Sequence, residues 1–144
     1  MDALLIERVL PIIEEVGLQP TWTEVLNRIG AKLFGDSYLG AFPPVRQPRR
    51  PKKGDMWLWN TVNVGGEHWG ATIVLQNGRR LSYDSYGRNL QLIRERKDMK
   101  RKDFSHHSWS DNDAEQSKTS AICGPLSLAW LTIAKENPDL AREI

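Results

Sequence analysis

The one cysteine of the chain, Cys123, is the residue whose setting most clearly indicates chemistry. It lies directly before an apolar run and is followed by Pro125, while Gln116 precedes it by seven residues and His68 lies far upstream. A thiol at the start of a helix, with a histidine elsewhere to take its proton, is typical of a cysteine nucleophile. The helix N-terminus and a nearby imidazolium would both lower the pKa of the thiol, so we expect a reactive Cys123. The alternative interpretation is a small buried hydrophobic residue.

The spacing of apolar residues in a β-hairpin predicts where His68 lies. Strands over 69–75 and 80–84 are joined through Asn77-Gly78. A two-residue loop would mix apolar and polar residues on each face, whereas a three-residue loop over 76–78 separates them. The longer loop puts a left-handed residue at Gly78 and gathers one apolar face, made of Trp69, Ala71, Ile73, Leu75, Leu81 and Tyr83.

The same register pairs Gly70 with Asp84 and makes His68 and Asp84 diagonal neighbours on the opposite face. Diagonal neighbours lie about 7–8 Å apart at the backbone, within reach of side chains that lean together. Asp84 would then fix the tautomer of His68, the candidate general base. Gln116, with the backbone N–H of Cys123, could stabilise an oxyanion. Taken singly, His68 is also consistent with a surface histidine at a strand end, and Gln116 with a solvated loop.

The remaining elements follow from periodicity and from turn residues. Pro11 is expected to kink the first helix or to break it in two, and Thr21 or Thr23 is expected to cap the second. The predicted elements are a helix over 2–17, a helix over about 23–34, an extended loop over 35–55, a central strand over 56–62, a charged helical segment over 90–104, a polar loop over 105–119 and a last helix over about 123–137.

Length and composition indicate one domain, residues 1–144, with an N-terminal helical segment over 1–35 and a catalytic core over 56–135. One cysteine cannot form an internal disulfide, and no apolar run approaches the length of a membrane span. The acidic N-terminus does not resemble a signal peptide, so we expect a virion, cytoplasmic or nuclear setting. His106 and His107, with Asp111 and Asp113, are interpreted as a solvated loop, so neither a metal nor a cofactor is expected.

Two basic stretches, Arg46–Lys53 and Arg94–Lys102, could bind nucleic acid weakly through its phosphates. The second stretch contains Glu95 and Asp98 and is also consistent with a solvated helix face. The net charge of +2 is too small to indicate a nucleic-acid partner by itself.

Three segments together resemble the adenovirus proteases (adenain-like cysteine peptidases), which share a clan with the ubiquitin-like-protein proteases. The order is His-Trp, an acidic residue in a short motif ending in glycine, Gln, and Cys-Gly. The segments are Gly66-Glu-His-Trp-Gly-Ala71, Tyr83-Asp-Ser-Tyr-Gly87 and Gln116-Ser-Lys-Thr-Ser-Ala-Ile-Cys-Gly124, and Tyr38–Pro43 is similar to the segment those enzymes carry before their first core strand. The resemblance covers about residues 36–135.

The resemblance implies an α+β fold of the adenain-like or papain-like type, with a central mixed or antiparallel sheet and the nucleophile helix packed against it. It implies the roles Cys123 nucleophile, His68 base, Asp84 orienting group and Gln116 oxyanion donor. It further implies cleavage of viral precursor polypeptides at Gly-containing sites during particle maturation. An activating peptide of the adenoviral kind could not be disulfide-linked here without consuming Cys123.

Two other functions stay open. The acidic residue is Asp84, as in the ubiquitin-like-protein proteases, where adenoviral enzymes have Glu, and this favours an isopeptidase that removes ubiquitin or a ubiquitin-like modifier. A catalytically silent nucleic-acid-binding or capsid-associated module would instead use the two basic stretches.

Overall fold

The computed structural model describes residues 2–16, 23–43, 46–63, 66–84, 107–109 and 122–144. These residues form an α+β fold in which helices pack on a mixed sheet. The helices are α1 (Ala3–Val16), α2 (Thr23–Phe34), α3 (Cys123–Glu136) and α4 (Pro138–Arg142), with a 3-10 turn at Gly35–Ser37. The strands are β1 (Tyr38–Phe42), β2 (Met56–Asn63), β3 (Gly66–Val74), β4 (Arg80–Asp84) and β5 (His107–Trp109).

Helix α1 is continuous through Pro11, so of the two expected outcomes the break into two helices is wrong, and the kink stays a prediction. Proline removes one backbone hydrogen bond within a helix and crowds the preceding turn. The helix persists because Leu5, Val9 and Ile12 all pack into the core, and tertiary burial of an apolar face outweighs local propensity. Asp2 caps the helix, since its Oδ1 accepts hydrogen bonds from the backbone N–H groups of Leu4 (2.9 Å) and Leu5 (3.3 Å).

Helix α2 and strand β1 follow one another closely. The helix begins at Thr23, so Thr23 is its first residue rather than its cap, and the other expected cap, Thr21, lies outside the described residues. The predicted loop over 35–55 is wrong for its first part, because Tyr38–Phe42 is a strand parallel to β2. Tyr38 is buried and donates its hydroxyl to Oδ1 of Asn27 at 3.0 Å, which ties the strand to α2.

The sheet has the order β1-β2-β3-β4-β5. Its inner pairs, β2 with β3 and β3 with β4, are antiparallel, whereas β1 and β5 each lie parallel to their neighbour. Strand β2 is therefore interior, as its aromatic and β-branched residues predicted. Strand β5 falls within the stretch predicted to be a polar loop, so that prediction is wrong for residues 107–109. The charged segment over 90–104 lies outside the described residues.

The predicted hairpin register between β3 and β4 is confirmed. Gly70 pairs with Asp84, Ala71 with Tyr83 and Ile73 with Leu81. The loop closes through hydrogen bonds from the N–H groups of Leu75 and Gly78 to the carbonyls of Arg79 and Leu75, respectively. Gly78 has φ +83°, the left-handed conformation that the three-residue loop requires.

Helix α3 packs on the apolar face of this hairpin. All six hairpin residues predicted for that face belong to the core, Trp69 among them. Tyr83 stacks on Trp130 of α3, with ring centroids 5.3 Å apart and planes inclined by 12°. Trp130 also donates its indole N–H to the carbonyl of Ala141 in α4 at 3.1 Å. The helix carrying Cys123 is thus fixed on the sheet by a large aromatic contact.

Across the described ranges, which leave out 17–22, 85–106 and 110–121 among others, no helix has the length and apolar character that crossing a membrane would require.

Candidate active site

His68 and Asp84 form a buried side-chain pair. Nε2 of His68 lies 2.6 Å from Oδ1 of Asp84, and the exposed fractions of the two residues are 0% and 3%. The pair arises from the strand register. Gly70 lies two residues after His68 on the same face of β3, and Asp84 of β4 lies directly opposite Gly70. The prediction that these residues would be neighbours is confirmed. At this distance the imidazole and the carboxylate form a hydrogen bond, which becomes a strong charge-assisted bond when the ring is protonated.

The pair also determines which ring nitrogen can act as a base. An ionised carboxylate only accepts hydrogen bonds, so the proton of neutral His68 lies on Nε2, facing Asp84. The basic lone pair is then on Nδ1. Protonation at Nδ1 would create an imidazolium whose charge the Asp84 carboxylate stabilises. The arrangement can therefore accept and return one proton.

Cys123 is the first residue of α3 and is nearly buried, with an exposed fraction of 7%. Burial raises the pKa of its thiol above the ordinary value, because an apolar surrounding disfavours the thiolate. Backbone hydrogen bonding with Trp69, Gly124 and Cys123 itself acts in the opposite direction, and the charge of Asp84 raises the pKa further. The expectation of a lowered pKa is wrong for this arrangement, since desolvation outweighs the helix N-terminus.

The thiol lies at the strand that carries His68. The Trp69 backbone is among the groups that act on the pKa of the thiol, and Trp69 follows His68 in β3. Gly124 packs against Leu26 of α2, where a Cβ would lie 2.9 Å from Leu26 Cδ2. The glycine after the cysteine therefore lets the start of α3 approach α2 closely. The start of α3 thus lies at Trp69, the neighbour of His68 along β3, while the His68 and Asp84 side chains lie on the other face of that strand.

A row of buried polar groups lies on the face of the sheet that carries His68, and the sequence reasoning missed it. The indole N–H of Trp59 donates to the Thr72 hydroxyl at 3.0 Å, and that hydroxyl shares a 2.7 Å hydrogen bond with Ser82. The Trp59 ring lies directly over Gly70, the cross-strand partner of Asp84. The signal was available, because Trp57 and Trp59 alternate with the core residues Met56 and Leu58 along β2.

The basic loop that precedes β2 is anchored to that strand by one uncharged residue, Gln47. Gln47 is buried, and its Oε1 accepts a hydrogen bond from the indole N–H of Trp57 at 3.4 Å. The neighbouring cations are exposed; they are Arg46, Arg49, Arg50, Lys52 and Lys53. Nucleic-acid binding through this stretch stays a prediction, and the second stretch, Arg94–Lys102, lies outside the described residues.

Gln116 also lies outside the described residues, so its predicted place near an oxyanion stays a prediction. The same holds for His106, Asp111 and Asp113. In the part of the chain that is described, no three His, Cys, Asp or Glu side chains converge as a metal site would require.

The sequence matches no protein-family model. A search of curated proteins also found no match.

Proposed function

We propose that this protein is a thiol endopeptidase with Cys123 as the nucleophile, His68 as the general base and Asp84 as the group that orients it. The buried 2.6 Å contact between His68 and Asp84 carries the proposal, because the sequence predicted it from apolar alternation alone. The position of Cys123 supports it, since the thiol lies in the same core cluster as Trp69, which is adjacent to His68. A buried thiol, a buried imidazole and a buried carboxylate are the groups that such a reaction requires.

The raised pKa of Cys123 favours proton transfer during attack over a preformed thiolate. Nδ1 of His68 takes the thiol proton while the sulfur forms a bond to the substrate carbonyl carbon. The backbone N–H of Cys123, together with Gln116, stabilises the resulting oxyanion. The tetrahedral intermediate collapses as His68 returns the proton to the leaving amine, which gives an acyl-enzyme thioester. Water, deprotonated by His68, then attacks the thioester and releases the acid and the free thiol.

The adenain-like resemblance supplies the substrate class and the setting of the proposal. The substrates are viral precursor polypeptides cut at Gly-containing sites during particle maturation, in the virion or in the host cytoplasm or nucleus. An activating peptide would bind without a disulfide, and DNA would bind weakly to the exposed cations of Arg46–Lys53. The adenain-like form of the α+β fold belongs to the same proposal.

The identity of the acidic residue favours a second candidate function. Asp84 contacts His68 directly at this register, and aspartate is the residue that the ubiquitin-like-protein proteases use. An isopeptidase acting on ubiquitin or a ubiquitin-like modifier would use the same nucleophile and base. Modifier-derived probes with a reactive C-terminus would separate the two, because rapid labelling of Cys123 by such a probe indicates a deconjugase.

Cleavage profiling with a peptide library tests the proposal, comparing the wild type with Cys123→Ala. We expect the wild type to cut a restricted set of sequences with glycine near the cut bond, and the variant to cut none. A wild-type protein that cuts no peptide, or a variant that cuts the same set, would end the assignment as a peptidase.

A further inference from the structure

Ser127 makes a buried contact that the proposed reaction does not itself use. It lies four residues after Cys123 in α3, so both side chains point from the same face of the helix. Its Oγ donates a hydrogen bond to the backbone carbonyl of Trp69 at 3.2 Å, and the side chain is fully buried. Trp69 is the residue next to His68, so this bond joins the nucleophile helix to the strand of the base.

The hydrogen bond from Ser127 reaches β3 just beyond the last residue pair that is described between β3 and β4. The last described pair between these strands is Gly70 with Asp84, and Trp69 is the next residue along β3 toward His68. Helix α3 packs against β3 at this point. The backbone of Trp69 is thus engaged by a side chain of the helix, in a region where a buried peptide group needs a partner.

The Trp69 backbone also bears on Cys123. It acts to lower the pKa of the Cys123 thiol, against the larger effect of burial. The Trp69 carbonyl accepts the hydrogen bond from Ser127, one helical turn after Cys123. The bond therefore fixes the start of α3 on the strand at the residue whose backbone also bears on the thiol.

We propose that Ser127 is a positioning residue for the nucleophile: by bonding to the Trp69 carbonyl it holds the first turns of α3, and with them Cys123, on β3 at the residue next to His68. This inference rests on the proposed function only in taking Cys123 as the reacting group. Without the bond, the first turns of α3 lose a hydrogen-bonded attachment to β3. The sulfur then moves away from the Trp69 backbone, which favours its ionised form.

Few other described groups bear on the charge of the thiol. Asp84 on β4 disfavours the thiolate, and His68 on β3 is its predicted proton acceptor. The contact from α2 at the start of α3 is the apolar Leu26. The Ser127 hydroxyl is uncharged, and its hydrogen bond goes to the Trp69 carbonyl. A change at Ser127 therefore acts on the thiol through its position rather than through an added or removed charge.

Titration of the thiolate tests the inference, because Cys123 is the only cysteine and its ultraviolet absorbance is isolated by subtracting the spectrum of Cys123→Ala. We expect Ser127→Ala to raise the midpoint by about 0.5–1 pH unit, the size of one lost hydrogen bond. With a cleaved peptide in hand, kcat should fall about tenfold with KM unchanged, because displacement of the nucleophile affects the chemical step. An unchanged midpoint in a folded Ser127→Ala protein would overturn the inference.

An isosteric pair covers the case in which Ser127→Ala fails to fold. Ser127→Thr keeps the hydroxyl and Ser127→Val replaces it by a methyl group, so the two share any crowding. The threonine variant should keep the wild-type midpoint and the valine variant should show the raised one. Equal midpoints in the pair would contradict a role that depends on the hydroxyl.

Thr132→Val is the matched control on the same helix. The Thr132 hydroxyl donates to the Ala129 carbonyl at 2.6 Å and is remote from Trp69 in the helix, so its loss should lower stability without moving the midpoint. If Thr132→Val shifted the titration midpoint of the thiolate as much as Ser127→Ala, the role of Ser127 would be structural only, and the inference would be wrong. Titration requires no substrate, so a shifted midpoint in a protein that cleaves no peptide would uphold this inference while the proposed function fails.

Discussion

The indole ring of Trp59 covers Gly70 so closely that no Cβ fits at position 70 without displacing the ring. The two residues are cross-strand partners, and on its other side Gly70 pairs with Asp84. The ring therefore lies on the face of the sheet that carries the His68–Asp84 pair, next to the strand position of Asp84. Its N–H is fixed by Thr72. This contact makes Gly70 a structural requirement of the candidate site.

Gly70→Ala should lower the free energy of unfolding by about 1–3 kcal/mol, the usual cost of overpacking a core. Urea denaturation measures it. A double-mutant cycle with Trp59→Phe isolates the contact, because the smaller ring leaves room for the added methyl group. The alanine should cost less in the Trp59→Phe background than in the wild type. An equal cost in both backgrounds would show that the indole is not what excludes a side chain at position 70.

Asp84→Ala should lower kcat by on the order of 10²-fold or more, because His68 loses the carboxylate that fixes its tautomer and stabilises its positive charge. Asp84→Asn is the matched variant, since it keeps an acceptor oxygen but removes the charge. We expect an intermediate rate for it. Steady-state cleavage of a peptide found by profiling gives both values, and wild-type rates in both variants would remove Asp84 from the mechanism.

The raised pKa of Cys123 predicts how stability depends on pH. The folded state favours the protonated thiol, so this preference stabilises the fold fully below the ordinary cysteine pKa of about 8.5. As pH rises, the unfolded chain ionises first, and the stabilisation is lost until the folded pKa is passed. The free energy of unfolding of the wild type should therefore fall, relative to Cys123→Ala, as pH rises above about 8. A difference that is constant with pH, or that grows in favour of the wild type, would contradict the raised pKa.

Trp130→Ala should cost about 3–5 kcal/mol of stability, since it removes a fully buried aromatic residue that stacks on Tyr83. Trp130→Phe keeps a ring but loses the bond to the Ala141 carbonyl, and should cost less. Thermal or urea denaturation followed by circular dichroism measures both. If the two variants were equally stable, the stack on Tyr83 would not be what holds α3 on the sheet.

The parts of the fold that the sequence predicted are those fixed by local alternation. In the β3–β4 hairpin, each apolar residue must reach the core, and one register achieves this for six positions. That register also brought His68 to Asp84. The interior place of β2 and the extent of α3 followed from the same kind of pattern.

The features that were missed depend on contacts between distant segments. Strands β1 and β5 are defined by parallel pairing with β2 and β4, and neither carries an alternation that marks it as a strand. The break expected at Pro11 ignored the core contacts of Leu5, Val9 and Ile12. The pKa of Cys123 was predicted from the helix terminus, whereas burial, which only tertiary packing sets, determines its direction.

The central claim is that His68 removes the proton of Cys123 as its sulfur attacks a carbonyl. Mass spectrometry of the acyl-enzyme, formed with an activated ester of a cleaved peptide, tests it most directly. We predict one acyl group on Cys123 in the wild type, none in Cys123→Ala, and acylation of His68→Ala slowed by roughly 10²–10⁴-fold at neutral pH. Acylation of His68→Ala at the wild-type rate, or an acyl group on Cys123→Ala, would contradict the account.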